Sequence, residues 1–267
     1  MKKLLPLAFA LASLGLLVFK LQPARADHHA ENPASNKPLK CLLVTGGCCH
    51  DYKVQQHIIS AGVSERIPTD WTIFYEMDQE KSKAYLSAPG WAEGYDVIVY
   101  NHCFAKETDA KFIESVAAVH DTGLPAIALH CAIHSYHWNI PEVEGKEKAW
   151  PALLGVSSKG HGPKAPITVN KVPDQADHPV LAAMPDGWTT PEGELYNVQR
   201  VLDTATVLAY GDNGSDVRPE EPQACIWVND YNGTRIMATT IGHHNSTMST
   251  DEYLDLLANG IRWVTEK

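Results

Sequence analysis

The stretch LPAIALHCAIHSYHWN, residues 124–139, joins a run of apolar residues to three histidines. Residues 124–130 do not alternate between polar and apolar side chains, which is typical of a strand buried on both faces within a parallel sheet. His130, His134 and His137 follow at offsets of zero, four and seven, the spacing of one helix face. The stretch therefore predicts a central strand that leads into a helical turn carrying imidazoles.

The segments before this strand repeat the order of strand and then helix. Apolar runs at 40–47, 70–77 and 95–103 predict three further strands, and helical spacing at 53–67 and 107–123 predicts two helices. Buried strands that alternate with helices are typical of a sheet covered on both faces. We therefore predict an α/β fold with three α/β/α layers and a flavodoxin-like, mostly parallel sheet.

The second half of the chain is less regular. Residues 138–193 are interrupted by proline and glycine, which predicts long loops with one short strand at 166–170. Residues 204–211 and 223–242 predict strands, the latter a hairpin that turns at YNGT. Residues 249–267 predict a closing helix with acids in its first turn.

The first residues have the composition of a secretory signal. MKK precedes an apolar run, and residues 1–26 end in LQPARA, which suits cleavage after Ala26. We expect export to the periplasm or the medium and no membrane association after cleavage; an uncleaved membrane anchor is the alternative. Residues 27–39 then form a flexible lead-in, and residues 40–267 form the folded domain.

Charge and cysteine content narrow the classes of partner. The net charge of the whole chain is −10, and loss of the leader, which holds four basic residues and no acids, makes it about −14. We therefore expect no nucleic-acid partner, and no nucleotide cofactor. Six cysteines are too few for a disulfide scaffold. Cys48 and Cys49 are adjacent, and we expect no bridge between them because it would be strained.

Histidines follow three of the predicted strands. His50 follows the first, Asn101 and His102 end the third, and His130 and His134 follow the fourth. In a flavodoxin-like sheet these strands are neighbours, and ligands bind beyond their carboxyl ends. The spacing of His130 and His134 also suits two imidazoles on one ion. We therefore predict a divalent metal, zinc or similar, bound by His50, His102, His130 and His134; isolated hydrogen-bonded loop histidines are the alternative.

Further candidates occur late in the chain. His161 lies in the glycine-rich SSKGHGP, Glu194 in EGELYN, and His243 and His244 in TIGHHNSTM. A carboxylate among imidazoles suits general acid and base catalysis, or a metal site with nitrogen and oxygen ligands. His137, Cys103 and Cys131 are interpreted as packing residues instead.

Five segments together resemble the ThuA-like (trehalose-utilisation) family over residues 40–265. They are LLVTGGCCHDY, ALHCAIHSYHW, LLGVSSKGHGPKAPITV, HPVLAAMPDGWTTPEGELYNV and TTIGHHNSTMSTDEYLDLLANGIRWV. The resemblance implies a fold like that of class I glutamine amidotransferases, with His130 at the position of that fold's nucleophile. It also implies that His161, Glu194 and His243 are site residues.

The same resemblance implies a carbohydrate-active enzyme that acts on keto-glycosides by elimination or hydrolysis. The leader and the histidine pattern add the expectations that this enzyme is exported and that a metal assists it. We expect His130 or Glu194 as base and His243 as acid. Residues expected to bind the carbohydrate are Asn101, His102, His161, Tyr196 and His244. Two alternatives are a non-catalytic sugar- or metal-binding module on the same scaffold and a hydrolase that uses Cys131.

Overall fold

The computed structural model describes residues 37–214 and 222–266. The predicted signal peptide, its cleavage after Ala26 and most of the lead-in lie outside these residues. No helix within the described ranges is long and apolar enough to span a membrane.

A nine-stranded sheet forms the centre of the domain. Its spatial order is β2-β1-β3-β4-β11-β10-β9-β6-β7, and β5 and β8 form a separate two-stranded sheet. The strands are β1 (Leu39–Gly47), β2 (Thr69–Glu76), β3 (Val97–Cys103), β4 (Ala126–Leu129), β5 (Val156–Lys164), β6 (Thr168–Lys171), β7 (Trp188–Thr189), β8 (Glu194–Val201), β9 (Ala205–Asp212), β10 (Gln223–Tyr231) and β11 (Thr234–Thr239). Strands β2, β1, β3, β4 and β11 run parallel, and the others are added antiparallel. This confirms the predicted α/β class.

Helices cover both faces of the sheet. They are α1 (Tyr52–Ser64), α2 (Gln79–Leu86), α3 (Ala110–Ala118), α4 (Ala149–Leu154), α5 (Asn245–Met248) and α6 (Asp251–Thr265). In β1, Leu43 faces a core shared with α1 and α6, whereas Leu42 and Val44 face a second core shared with α3 and α4. Because successive side chains of a strand point to opposite faces, both faces of β1 are apolar and buried.

The structure departs from the helix predictions at two places. Helix α3 begins later than predicted because the Asp109 carboxylate caps it, accepting hydrogen bonds from the backbone amides of Lys111 and Phe112. It passes into a 3-10 turn over Val119–Thr122. Helix α2 was not predicted, because its eight residues are mostly polar and bury little surface.

The opening stretch also differs from its prediction. Strand β4 ends at Leu129, and residues His130–Ile133 form a 3-10 turn rather than an α-helix. His130 has a φ of +44°, a conformation that L residues rarely adopt, so the chain turns sharply there. The three histidines therefore do not share one helix face.

The prediction for Cys48 and Cys49 was wrong, since the structure joins them by a disulfide. The preceding Gly47 has a φ of +89° and Cys49 a φ of +83°. These left-handed conformations form a tight turn directly after β1, and the turn brings the two sulfur atoms together.

Gly242 fixes the path from β11 toward the site. Its φ is +120°, and a Cβ there would lie 2.6 Å from the Tyr253 hydroxyl oxygen. We expect Gly242→Ala to lower the free energy of unfolding by about 2 kcal/mol or more, measured by urea denaturation. Gly94→Ala is the control, because Gly94 has a φ of +80° but no atom within 4 Å of the position that a Cβ would take, so only the backbone cost of about 1 kcal/mol is expected. Equal losses in the two variants would contradict the contact.

Candidate active site

Four side chains from separate segments meet at the carboxyl edge of the parallel strands. His50 follows β1, His130 follows β4, His243 follows β11, and Glu194 begins β8. Because β1, β4 and β11 run in the same direction within one sheet, their ends lie at one edge. One ligand atom from each of the four lies within 4.8 Å of all the others. We call these four residues the tetrad.

The contacts within the tetrad centre on Nδ1 of His243. This atom lies 2.9 Å from His50 Nε2, 3.1 Å from His130 Nε2 and 3.2 Å from a carboxylate oxygen of Glu194. The same oxygen is 3.5 Å from His130 Nε2. A ring nitrogen carries one proton or one lone pair, so hydrogen bonding alone does not satisfy three partners.

A hydrogen bond to the backbone fixes the orientation of the His130 ring. Its Nδ1 lies 2.6 Å from the carbonyl oxygen of Thr240, which only accepts hydrogen bonds. Nδ1 therefore carries the proton, and in the neutral ring the Nε2 lone pair points at the tetrad. His50 has a comparable second contact, with Nδ1 3.1 Å from the Tyr52 hydroxyl. Partners of this kind orient the imidazoles of metal sites.

The protonation states expected for the tetrad residues favour the binding of a cation. Burial, followed by the neighbouring charges of His130 and His243, lowers the pKa of His50 to about 3. Burial also lowers the pKa of His130, although hydrogen bonding to Glu194 opposes it. Burial by itself raises the pKa of Glu194, but the contacts of its carboxylate with the His130 and His243 rings hold that pKa well below its usual range. At neutral pH two imidazoles are thus uncharged beside an ionised carboxylate.

The distances also fit a tetrahedral ion. Bonds of about 2.1 Å place the ligand atoms of such an ion about 3.4 Å apart. Four of the six separations in the tetrad, the three to His243 and the one between His130 and Glu194, run from 2.9 to 3.5 Å, and the other two are within 4.8 Å. Three imidazole nitrogens and one carboxylate oxygen are ligands that zinc and related divalent ions accept.

His161 lies beside the tetrad without joining it. Its Nδ1 is 3.3 Å from the other carboxylate oxygen of Glu194, and 44% of its side chain is exposed. It projects from β5, which pairs with β8 so that His161 stands opposite Tyr196. The imidazole therefore contacts both the tetrad carboxylate and the solvent, which suits proton transfer.

Two residues predicted as metal ligands lie outside the tetrad. His102 is fully buried among the rings of Tyr100, Tyr136 and Trp150, where burial lowers its pKa to about 3. Nε2 of His134 lies 3.0 Å from the Ser158 hydroxyl.

The contacts of Ser158 decide the tautomer of His134. The Ser158 hydroxyl donates to the carbonyl oxygen of Asn197, so His134 Nε2 donates to Ser158. That nitrogen consequently has no free lone pair for an ion. The sequence pattern grouped His134 with His130 through a helical spacing that the 3-10 turn removes.

The predicted carbohydrate-binding residues divide between the cleft and the interior. His161 and Tyr196 line a cleft of about 780 Å³, and His50, Glu194 and His243 also belong to its wall. His244 lines an adjoining cavity of about 570 Å³. Asn101 is buried beneath the site, where its amide donates to Gln55.

Two cysteines lie in the wall of the cleft. Cys103 and Cys131 hydrogen-bond to each other and pack against Tyr52. This bond, ahead of burial, raises the pKa of Cys131 far above its usual range. Cys131 is therefore a protonated thiol at neutral pH, which is the wrong state for a nucleophile.

Comparisons with known proteins agree with this fold. A family model described as ThuA, trehalose utilisation, matches residues 40–264, nearly all of the described domain. The chain belongs to the ThuA family. This confirms the resemblance to the ThuA-like family that the sequence segments indicated. The family relates the chain to carbohydrate utilisation. No curated protein matches the sequence.

Solved structures of ThuA-like proteins share the fold. A putative ThuA-like protein from Parabacteroides merdae has 17% sequence identity and a TM-score of 0.68, over 86% of this chain and 90% of that one. A second, from Bacteroides uniformis, has 16% identity and a TM-score of 0.64, over 86% of this chain and 93% of that one. At these identities the similarity extends to the fold alone, and the chemistry has to be argued from the tetrad.

Proposed function

We propose that this ThuA-family protein is an exported, metal-dependent enzyme that acts on keto-glycosides by elimination or hydrolysis. The observation that carries the proposal is the tetrad, in which three imidazole nitrogens and one carboxylate oxygen converge at the edge of the sheet. Export rests on the composition of residues 1–26. The carbohydrate substrate rests on the family, which is described as trehalose utilisation.

Under this proposal the predicted catalytic residues have separate roles. His130, Glu194 and His243, together with His50, would hold the ion, and the ion would supply Lewis-acid stabilisation of negative charge on a substrate oxygen. His161 is then the imidazole left for proton transfer, because it touches Glu194 and remains exposed. In this proposal His161 serves as the base in place of His130 or Glu194, and as the acid in place of His243.

The proposed elimination begins with loss of a proton from the carbon next to the ketone. A ring nitrogen of His161 takes the proton from that carbon, and the electrons of the C–H bond form the enolate. The enolate collapses, the glycosidic C–O bond on the neighbouring carbon breaks, and the leaving oxygen takes the proton back from protonated His161. Electrons and protons balance without an oxidant, and addition of water to the enone completes a net hydrolysis.

Metal removal provides the first test. We expect the purified protein to hold one divalent ion per chain by elemental analysis, and a chelator to lower its melting temperature. Zinc at about 100 times its Kd should restore about 2.7 kcal/mol of stability, because the ion binds the folded state. A melting temperature that neither chelation nor zinc changes would contradict the metal centre.

Turnover separates an enzyme from a non-catalytic binding module. A 3-keto glycoside with a nitrophenyl leaving group should release nitrophenolate only in the presence of the ion. Retention of the ion without release of nitrophenolate would favour the binding module. Release that persists after complete chelation would place the chemistry outside the tetrad.

A further inference from the structure

Two cavities meet at the tetrad. The deeper one, of about 780 Å³, and the shallower one, of about 570 Å³, share Cys49, His50, Lys164 and His243 in their walls. Both volumes are in the range of small-molecule sites. A ligand bound at the tetrad therefore has space on either side of it.

The deeper cavity exposes an aromatic face. Few large apolar side chains in the described ranges are exposed, and two of them, Met77 and Trp138, line this cavity. The indole of Trp138 donates through Nε1 to the carbonyl oxygen of Ser158. Its ring lies 4.8 Å from that of His134, which stacks on Tyr196 at 3.7 Å. The indole is thus held in place from behind while 39% of the residue remains exposed.

The shallower cavity is polar. Asp51, Glu192, His244 and Asn245 line it, and Glu192 accepts a hydrogen bond from the Ser246 hydroxyl at 2.6 Å. The Asn245 amide donates to Asp51 at 3.0 Å. The Nδ1 atom of His244 is enclosed and has no partner among the described residues. Acceptors and unpaired polar atoms of this kind suit the hydroxyls of a sugar.

We propose that the two cavities are sugar subsites of a two-ring glycoside, with Trp138 as the specificity-determining platform of one and Glu192 as a hydroxyl acceptor of the other. The apolar face of a pyranose ring stacks on the exposed indole, since aromatic side chains offer a large and rigid contact area. The glycosidic oxygen then lies at the junction, beside the tetrad. This inference rests on the proposed function for its substrate class, a glycoside. It adds that each of the two cavities binds one ring of that glycoside.

Binding in the absence of turnover tests the subsites. Trehalose and methyl α-glucoside serve as two-ring and one-ring probes, and calorimetric titration of the metal-loaded protein measures the Kd of each. We expect trehalose to bind about tenfold more tightly than the one-ring probe. Trp138→Ala should weaken both probes about tenfold, and Trp138→Phe should recover part of the loss.

Two further variants make the comparison specific. Glu192→Ala should remove the advantage of trehalose and leave the Kd of methyl α-glucoside unchanged. Tyr75→Ala is the control, because Tyr75 is exposed to nearly the same extent, 38%, yet lines neither cavity. Wild-type affinities in Trp138→Ala, or no measurable binding of either sugar, would overturn the subsites.

Turnover of the nitrophenyl substrate distinguishes the two proposals. The expected binding pattern without turnover would support the subsites and contradict the enzyme. Turnover with a KM that Trp138→Ala does not raise would support the enzyme and contradict the subsites.

Discussion

His130→Ala is expected to abolish ion retention and to lower kcat/KM by about 10³ or more, while the protein remains folded. His130 follows a central strand, is 1% exposed, and is held by the Thr240 carbonyl 2.6 Å from its Nδ1. The strand behind His130 and the Thr240 carbonyl together fix the direction of the imidazole, so its Nε2 atom points into the tetrad. Alanine offers no ligand atom at this position. Elemental analysis and the nitrophenolate assay measure the two losses.

The fold should tolerate this change at a moderate cost. Removal of the imidazole leaves the Thr240 carbonyl without its partner, at a cost of about 1–3 kcal/mol. The φ of +44° at His130 adds strain for alanine. His130→Asn is the second variant, because asparagine adopts this conformation more readily. It should restore stability without restoring the ion.

His120→Asn is a matched control. His120 is also buried, and its Nδ1 lies 2.6 Å from the Leu124 carbonyl, but it precedes β4 and lies at the opposite edge of the sheet. We expect it to lose stability and to keep both the ion and its kcat/KM per folded molecule. If His130→Ala behaves in the same way, His130 is a packing residue and the binding module becomes the better interpretation.

Glu194→Gln is expected to weaken zinc binding by about 10²-fold or more and to lower kcat by about 10³. Glutamine has nearly the same shape, so the variant removes the charge and little else. One carboxylate oxygen lies 3.2 Å from His243, and the other lies 3.3 Å from His161. The substitution therefore removes the anionic ligand of the proposed ion and the negative partner of His161.

Two measurements check this expectation. Calorimetric titration with zinc gives the change in Kd, and melting with and without zinc gives the stabilisation that the ion provides, which should shrink in Glu194→Gln. Glu114→Gln is the control, since its pair with Lys146 is exposed and contributes about 0.5 kcal/mol or less. Wild-type zinc affinity in Glu194→Gln would exclude the carboxylate as a ligand.

Local sequence patterns predicted the parallel part of the sheet well. The strands at 40–47, 70–77, 95–103 and 124–130 correspond to β1, β2, β3 and β4 within a few residues. The hairpin that turns at YNGT forms β10 and β11, and the closing helix is α6. These elements are readable because each buries an apolar face whose spacing along the chain is set by its own backbone geometry.

The small β5–β8 sheet was outside the reach of the same patterns. Strand β5 includes the glycine-rich segment around His161, which favours a loop, and its pairing with β8 has several register shifts. That pairing nevertheless positions both Glu194 and His161. Glycine and proline content indicates only the local preference of the backbone, which here is for a loop. The pairing of β5 with β8 overrides that preference.

The sequence by itself determined that imidazoles follow the ends of buried strands, and only the tertiary structure decided which of them meet. His50 and His243 are 193 residues apart, yet their ring nitrogens lie 2.9 Å from each other. The contact exists because β11 inserts beside β4 in the parallel part of the sheet, so that its end reaches the same edge. The spacing of apolar residues along the sequence indicates which face of a helix or strand is buried. Which other element packs against that face depends on the fold of the whole chain.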